Sequence, residues 1–408
     1  MGTIDKRANG RYYARWRTPD GKSRSKAFAR KRDAEAYLSG VEGAKTTGGY
    51  VDPARGRVKL GPWADDWLAG KTNLTAKTRD RYENAIRVHI KPRWGDFAIG
   101  KITHSDVQLW IAGIDLAPAS VRKIHRVFSQ ILATAVRDGR ISRNVAEDIS
   151  LPRVHATEKR FLTHTQVEDI ARLVGPDWDL LVRFLAYTGL RWGEVAALRV
   201  MRIDLARRRV VVAESVSPIK GVMTWGATKG HERREVAIPH FLIPEIGAAI
   251  EGKAPDDLVF IGPRGGVLRA QTFQRAALVP AAEEMGLCVR KVDAEGRPVS
   301  VKRGRVAVPV YTKHFHPHEF RHTAASLAIA AGADVKVVQR MLGHKSATMT
   351  LDLYGHLFAD RLDTVADAMD AARQVELDTT RPGRSAERIA SLPNPDQAPA
   401  EDRHRRPR

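Results

Sequence analysis

The spacing of apolar residues changes along the chain, and this change divides it into parts that fold separately. Near the start the apolar positions alternate, with Tyr12, Ala14 and Trp16 on one face of a predicted strand. Further along they recur at helical spacing, in a stripe formed by Val121, Ile124, Phe128, Ile131, Leu132, Ala135 and Val136. A chain of 408 residues is also too long for one compact core. We therefore expect several domains of mixed α and β structure.

The first predicted domain, residues 1–50, is a small β-ribbon followed by a helix. Pro19–Gly21 separates two strands, since proline presets φ and glycine accepts the left-handed conformation. Residues 32–42 then have helical spacing. The second predicted domain, residues 58–150, is helical.

In the second domain the striped helix is expected to have Ser120 as its N-cap and to be terminated by Gly139. A third part, residues 160–373, is expected to be mainly helical, with a small antiparallel sheet that includes Arg209–Ala213 and Glu235–Ile238. Residues 379–408 are rich in Pro, Arg, Ala and Asp without periodicity, which predicts a disordered tail. The predicted fold class is therefore a multidomain α+β protein.

Charge is the unusual feature of the composition. The chain has 68 Lys and Arg against 47 Asp and Glu, a formal net charge of +21. Such an excess indicates a polyanionic partner, nucleic acid in the first place and an anionic membrane surface in the second. The candidate DNA-binding residues lie on the ribbon and on the polar face of the striped helix: Arg11, Arg15, Arg17, Lys22, Arg24, Arg122, Lys123 and Arg126. A solvated basic face is the alternative interpretation for both groups.

The single cysteine, Cys288, excludes an internal disulfide and fits a reducing compartment. We find neither a signal peptide near Met1 nor an apolar run of the roughly 20 residues that a membrane span needs. The sequence predicts a cytoplasmic, nucleoid-associated protein with no membrane partner.

Four short segments between residues 160 and 360 carry polar residues that a hydrophobic core does not require. They are Thr188–Glu194 with Arg191 at a helix start, Ala227–His231 with Lys229 at a turn, His318–Thr323, and Leu342–His344 followed ten residues later by Tyr354. Each segment alone is a weak signal. In this order they resemble the tyrosine recombinase (phage integrase) family over residues 58–373, and residues 1–50 resemble the arm-binding domain of mobile-element integrases.

The resemblance implies a site-specific DNA recombinase that integrates or excises a mobile element through a 3′-phosphotyrosine intermediate. It implies no cofactor and no metal. The implied partners are double-stranded DNA attachment sites and three further copies of the chain in a homotetramer on DNA. An excisionase or a host DNA-bending protein is a further candidate partner.

The implied catalytic residues are Arg191, Lys229, His318, Arg321, His344 and Tyr354, with Glu194 and His322 in supporting roles. Attack of a tyrosine hydroxyl on a phosphodiester places negative charge on the non-bridging oxygens, which two arginines can bind through paired hydrogen bonds. The family implies that Lys229 protonates the departing 5′-oxygen and that His318 assists proton transfer at Tyr354. His344 would supply a third donor to the phosphate.

The sequence departs from the common family pattern at two places. Glu319 stands where aspartate is more usual, and a basic insertion, residues 289–314, precedes the third motif. Neither change removes a catalytic residue.

Several other functions remain as alternatives. A chromosome-dimer recombinase would normally begin at the helical domain, and a type IB topoisomerase would not need the basic first domain. An inactive DNA-binding relative would not need every catalytic position filled. His318–His322 also fits the His-Glu-x-x-His pattern of zinc hydrolases, but no suitable third ligand follows and Arg321 would bring positive charge close to the metal.

Overall fold

The computed structural model describes residues 2–154, 159–227, 233–303, 306–358 and 362–380. The chain divides into two compact units. The first unit is Met1–Glu158 with Ser217–Thr224, and the second is Lys159–Val216 with Trp225–Arg408. Helices predominate, and the sheets are small and antiparallel, so the predicted α+β fold class is confirmed.

The chain begins with a three-stranded antiparallel sheet and one helix. Its elements are β1 Thr3–Lys6, β2 Tyr12–Arg17, β3 Ser23–Phe28 and α1 Lys31–Thr46, with the sheet in the order β1-β2-β3. Ala14 and Trp16 are buried while Arg15 and Arg17 are exposed, which confirms the predicted alternation. The sequence had indicated two strands, and β1 is an addition to that prediction.

The turn between β2 and β3 has the predicted chemistry. The Thr18 amide donates a hydrogen bond to the Lys22 carbonyl, with an N–O distance of 2.8 Å. Gly21 has φ +82°, a conformation that side chains other than glycine rarely adopt. The prediction of a Pro-Asp-Gly turn is confirmed.

Helices predominate in the following part of the chain, up to residue 137. They are α2 Leu60–Ala69, α3 Ala76–Ala85, α4 Lys91–Trp94, α5 His104–Ala112 and α6 Pro118–Arg137, with a π-helical turn at Ile86–Ile90 between α3 and α4. The apolar stripe of α6 is buried, apart from a half-buried Val136, and the Phe128 ring packs 5.8 Å from that of Trp94. The expected N-cap at Ser120 is wrong, since α6 begins at Pro118, which has no N–H to leave unsatisfied in the first turn. The predicted end is confirmed by Gly139 at φ +63°.

The second unit contains ten α-helices within the described residues. They are α7 His164–Val174, α8 Asp179–Thr188, α9 Trp192–Val195, α10 Ile243–Ile250, α11 Ala270–Phe273, α12 Val279–Glu284, α13 His318–Ala330, α14 Val335–Leu342, α15 Ala347–Tyr354 and α16 Leu362–Thr380. Helix α16 continues through residues 379 and 380, which were predicted to belong to the tail, because strong helix formers lead up to them. Residues 381–408 lie outside the described residues.

The strands of this part of the chain are short. They are β4 Ile203–Asp204, β5 Arg209–Val212, β6 Glu214–Ile219, β7 Val222–Ala227, β8 Arg234–Ala237, β9 Val289–Arg290, β10 Ser300–Arg303, β11 Val306–Pro309 and β12 Tyr311–Lys313. Strands β4, β5 and β8 form one sheet, and β6 pairs with β7. The two strands predicted from sequence are confirmed as β5 and β8, paired antiparallel. The turn that carries Lys229, residues 228–232, lies outside the described residues.

Within the described ranges, we find no helix whose length and apolar character would let it cross a bilayer.

Candidate active site

A glycine turn at the end of α8 places Arg191. Gly189 has φ +65°, and a Cβ there would lie 2.8 Å from Leu342 Cδ2, so both conformation and packing require glycine. Arg191 is the N-cap residue of α9, where its backbone N–H donates to Glu194 Oε2 at 2.8 Å. The Thr-Gly-Leu-Arg segment therefore sets both the turn and the start of the helix.

Glu194 is the central acceptor of an arginine cluster. Its carboxylate, with 1% of the side chain exposed, accepts from Arg191 Nη1 at 2.8 Å and from Arg234 Nη1 and Nη2 at 3.0 and 2.6 Å. Burial alone would raise the pKa of Glu194, but hydrogen bonds from Arg234 and the positive charges around it lower the pKa overall. The carboxylate is therefore ionised and holds the guanidinium groups of Arg191 and Arg234.

Arg321 lies on α13 and is buried. Its Nη1 donates to the Gly189 carbonyl at 2.7 Å and its Nη2 to the Leu342 carbonyl, while Arg191 Nη2 donates to the neighbouring Gly343 carbonyl at 3.3 Å. Two turns of the chain thus hold the two arginines side by side. Burial and the charge of Arg191 lower the pKa of Arg321 to about 9, which still leaves it charged at neutral pH.

The cluster holds more positive than negative charge. Arg191 and Arg234 share one carboxylate, that of Glu194, and Arg321 beside them forms no ion pair within the described part of the chain. Buried cations without counter-ions are costly, so this arrangement favours an incoming anion. A phosphodiester with two non-bridging oxygens matches the guanidinium geometry.

Tyr354 ends α15 and is 1% exposed. Its hydroxyl lies 2.8 Å from His322 Nδ1. Burial and the charge of His318 lower the pKa of His322 to about 4, so the imidazole is neutral near pH 7 and can accept the hydroxyl proton. Burial raises the pKa of Tyr354 to about 12. The tyrosine is held as an un-ionised phenol with a base in contact.

His344 lies beside Tyr354. The two rings are nearly parallel, at 5° with their centres 6.4 Å apart, and His344 Nδ1 is 3.0 Å from the hydroxyl of buried Thr350. Gly343, at φ +64°, ends α14 and directs His344 towards the site. Burial and Arg321 lower the pKa of His344 to about 4. The structure therefore brings His344 together with Arg191, Arg321 and Tyr354.

His318 is the first residue of α13 and lies beside His322. It lies one helical turn before His322, with the two ring centres 5.1 Å apart, and His322 makes the contact with the Tyr354 hydroxyl. Because residues four apart share a helix face, the sequence alone could not tell which of the two histidines meets the tyrosine. Groups of three or more His, Cys, Asp or Glu able to hold a metal ion do not occur among the described residues.

Two residues at this site were missed by the sequence analysis. Arg234 holds Glu194, and it lies on the inward face of β8 with Val236, an alternation that could have revealed it. Lys159 donates from Nζ to the Leu353 carbonyl at 3.0 Å and lies 5.8 Å from the centre of the Tyr354 ring. It lies between the second predicted domain, which ends at residue 150, and the third, which begins at residue 160, and no sequence pattern marked it.

The candidate DNA-binding residues of the first domain fall into two groups. Arg24 binds Asp52 through Nε and Nη2, the shortest distance being 2.6 Å, and this pair is partly buried. Arg15 and Lys22 form exposed ion pairs with acidic neighbours, and Arg11 and Arg17 are exposed. Arg24 is therefore engaged inside the protein, while the other four lie at the surface.

The basic face of α6 divides in the same way. Arg122 donates to the Pro152 carbonyl at 2.9 Å and so fixes the chain that follows the domain. Lys123 and Arg126 instead line a cleft together with Arg81 and His89 of the preceding helical segment. The cleft was not predicted, since Arg81 and His89 come from a different helix.

Taken together, the helical unit, the arginine pair and the buried tyrosine define a tyrosine recombinase, an enzyme that breaks and rejoins DNA at specific sites. More particularly, the chain belongs to the phage integrase family. The model of the phage integrase family matches residues 160–361, that of the phage integrase N-terminal domain residues 1–47, and that of the phage integrase N-terminal SAM-like domain residues 59–114.

Individual relatives agree with this family. The integrase of Mycobacterium phage L5 is 24% identical over 391 residues, which cover 90% of this chain and 96% of that protein. Among solved structures, the Tn1549 transposon integrase in complex with a circular intermediate DNA has a TM-score of 0.61 and 20% identity, covering 77% of this chain and 99% of that one. A lambda integrase tetramer bound to a Holliday junction has a TM-score of 0.52 and 20% identity, covering 85% and 96%. The structural likenesses support the same fold.

Proposed function

We propose that the protein integrates and excises a mobile element by forming a 3′-phosphotyrosine bond between DNA and Tyr354. The observation that carries this proposal is the contact of a buried tyrosine with a neutral histidine, beside a pair of arginines, Arg191 and Arg321, held by the carbonyls of neighbouring turns. In the reaction the Tyr354 oxygen attacks the phosphorus, the bond to the 5′-oxygen breaks, and a free 5′-hydroxyl leaves. The new linkage keeps the energy of the old one, so rejoining is the reverse step.

Each side chain has one task in this proposal. Arg191 and Arg321 bind the non-bridging oxygens, and His344 donates a further hydrogen bond from the ring nitrogen that does not contact Thr350. His322 accepts the Tyr354 proton, the task that the sequence had given to His318. The 5′-oxygen receives its proton from Lys229, as the family resemblance implies. Tyr354 must become exposed before DNA can reach its hydroxyl.

We propose double-stranded attachment sites as the partner, and a homotetramer as the active assembly. Two duplexes have four strands to cut, and each cut uses one tyrosine. The lambda integrase tetramer on a Holliday junction supports this by analogy. Crosslinking during recombination that never exceeds a dimer would contradict the tetramer. An excisionase or a host DNA-bending protein stays a prediction.

We also propose the division into DNA-binding parts. Residues 1–50 would bind arm sites through Arg11 and Arg17, residues 58–150 would bind the core site through Lys123 and Arg126, and residues 160–373 would catalyse. Two linked DNA-binding parts gain affinity through effective concentration, so removing residues 1–50 should abolish integration and leave core-site cleavage intact. Normal recombination by the shortened chain would refute the arm-site role.

Removing the hydroxyl oxygen of Tyr354 tests whether this residue is the nucleophile. Tyr354→Phe should bind DNA as the wild type does and form no covalent adduct on nicked duplexes from the DNA that flanks the gene. Tyr187→Phe is a matched control, because Tyr187 also lies 2.8 Å from a histidine nitrogen, that of His164, and should keep the adduct. Adduct formation by Tyr354→Phe would show that another residue attacks. Loss of wild-type cleavage in EDTA would overturn the mechanism.

A further inference from the structure

The basic insertion, residues 289–314, forms a branched β-ribbon that the proposed catalytic mechanism does not use. Strands β9 and β12 pair to form its stem, and β10 and β11 form an outer hairpin. The two parts join where the Lys291 amide donates to the Val310 carbonyl at 2.7 Å and the Val310 amide donates to Val299 at 2.9 Å. Below the stem, the amide of buried Phe315 donates to Cys288 Sγ at 3.1 Å. The ribbon is therefore anchored in the core of the second unit.

The ribbon carries a positive charge that its own acids do not neutralise. It has seven Lys or Arg against two acids, a net charge of +5. Both acids, Asp293 and Glu295, bind Arg297 at 2.9 and 2.7 Å, and Arg290 binds Glu283 at 2.6 Å. Lys291, Lys302 and Lys313 are exposed, and within the described residues they form no ion pair. These three lysines are therefore available to bind an external anion.

The position of the ribbon along the chain limits how far these lysines can lie from the active site. Lys313 precedes His318 by five residues, so their Cα atoms lie within about 18 Å of each other even if the chain is fully extended. A duplex carries about ten phosphates in that length. Lys302 pairs with Ala307 across the outer hairpin. Ala307 precedes Lys313 by six residues, so at most about 20 Å of extended strand separates Ala307 from Lys313. A duplex held at the site therefore has phosphates within reach of the ribbon.

We propose that the ribbon is an additional contact to DNA, in which Lys291, Lys302 and Lys313 bind phosphates beside the cleavage site. The inference rests on the proposed function, since it takes DNA as the substrate. The ribbon also exposes Val289, Val292 and Val301, which would suit a second copy of the chain. Against another copy of this basic chain, with its net charge of +21, the three lysines would lack counter-ions, whereas DNA phosphates would supply them, so DNA is the favoured partner of the ribbon.

The salt dependence of DNA binding tests the contact. The logarithm of the binding constant falls with the logarithm of salt concentration, with a slope of about 0.9 for each phosphate neutralised. The variant K291Q/K302Q/K313Q should reduce this slope by about 2 to 3 on a duplex that the wild-type full-length chain cleaves. The matched control R207Q/R264Q/R275Q removes three exposed charges elsewhere in the second unit and should leave the slope nearly unchanged. The variant K291R/K302R/K313R keeps the charge and should keep the wild-type slope.

Each outcome decides between the two partners or against both. A smaller slope in the glutamine variant alone, with an unchanged circular dichroism spectrum, supports the DNA contact. An unchanged slope in the glutamine variant overturns the DNA contact. If the glutamine variant also fails to form the tetramer on DNA, the ribbon instead binds a second copy of the chain. Equal reductions in variant and control also overturn it, since they show an effect of bulk charge. Failure of the wild type to cleave any duplex would refute the proposed function instead.

Discussion

Replacement of Glu194 by glutamine should destabilise the second unit by about 3 kcal/mol. Loss of one partner from a buried ion pair costs about 3–5 kcal/mol, because the other charge stays buried without a counter-ion. Glu194 has two such partners. Arg191 is 28% exposed and can regain water, whereas Arg234 is only 12% exposed and cannot. We therefore expect a value at the lower end of the range.

Urea unfolding followed by circular dichroism at pH 7.5 measures this loss. Asp169→Asn is the control, because Asp169 pairs with Arg172 at 3.1 Å on the surface, where a pair contributes about 0.2–1 kcal/mol. The Glu194→Gln transition should move to clearly lower urea than that of the control. If both variants lose less than about 1 kcal/mol, Glu194 is not the counter-ion on which the arginine cluster depends.

Three further predictions concern the same unit. Gly189→Ala should lower the urea midpoint more than Gly286→Ala. Both glycines have φ near +65°, but of the two only Gly189 has a neighbour, Leu342, within 4 Å of an added Cβ. Equal losses would contradict the packing argument. Lys229→Ala should slow cleavage with little change in DNA affinity and regain activity on a 5′-bridging sulfur substrate; without such rescue, another residue is the acid. The free energy of unfolding of the wild type should fall as the pH falls from about 6.5 to about 4, because the unfolded chain binds a proton that folded His322, with its pKa lowered to about 4, does not. His322→Gln should lose less free energy of unfolding over that range, and parallel curves for the two proteins would refute this.

Elements whose signal lies within a few residues were predicted correctly. Alternation at Ala14 and Trp16 identified β2, and the apolar stripe identified α6, because burial on one face leaves a period in the sequence. The N-cap of α6 was misplaced by three residues, at Ser120 instead of Ala117, since serine is a common N-cap but the proline at position 118 already suits the first turn. Strand β1 has no comparable signal, because it is short and largely exposed.

Contacts between distant positions could not be predicted. The partner of Arg24 is Asp52, 28 residues further on, and nothing in either local pattern links the two. The same holds for His322 and Tyr354, which are 32 residues apart. The order of the motifs identified the catalytic side chains as a set, but the assignment of a base to the tyrosine depends on how α13 packs against α15.

The burial of Tyr354 has a consequence for the host chromosome. A DNA-binding protein meets about 10⁶–10⁹ competing sites in a genome, and most of its encounters are held by charge alone. With 1% of Tyr354 exposed, no phosphate in such an encounter can reach the hydroxyl, so a chance encounter leaves the strand intact. Breakage then requires both binding and release of the tyrosine from its pocket. The rate of accidental nicking is then limited by how often that pocket opens, in addition to how often the protein meets DNA.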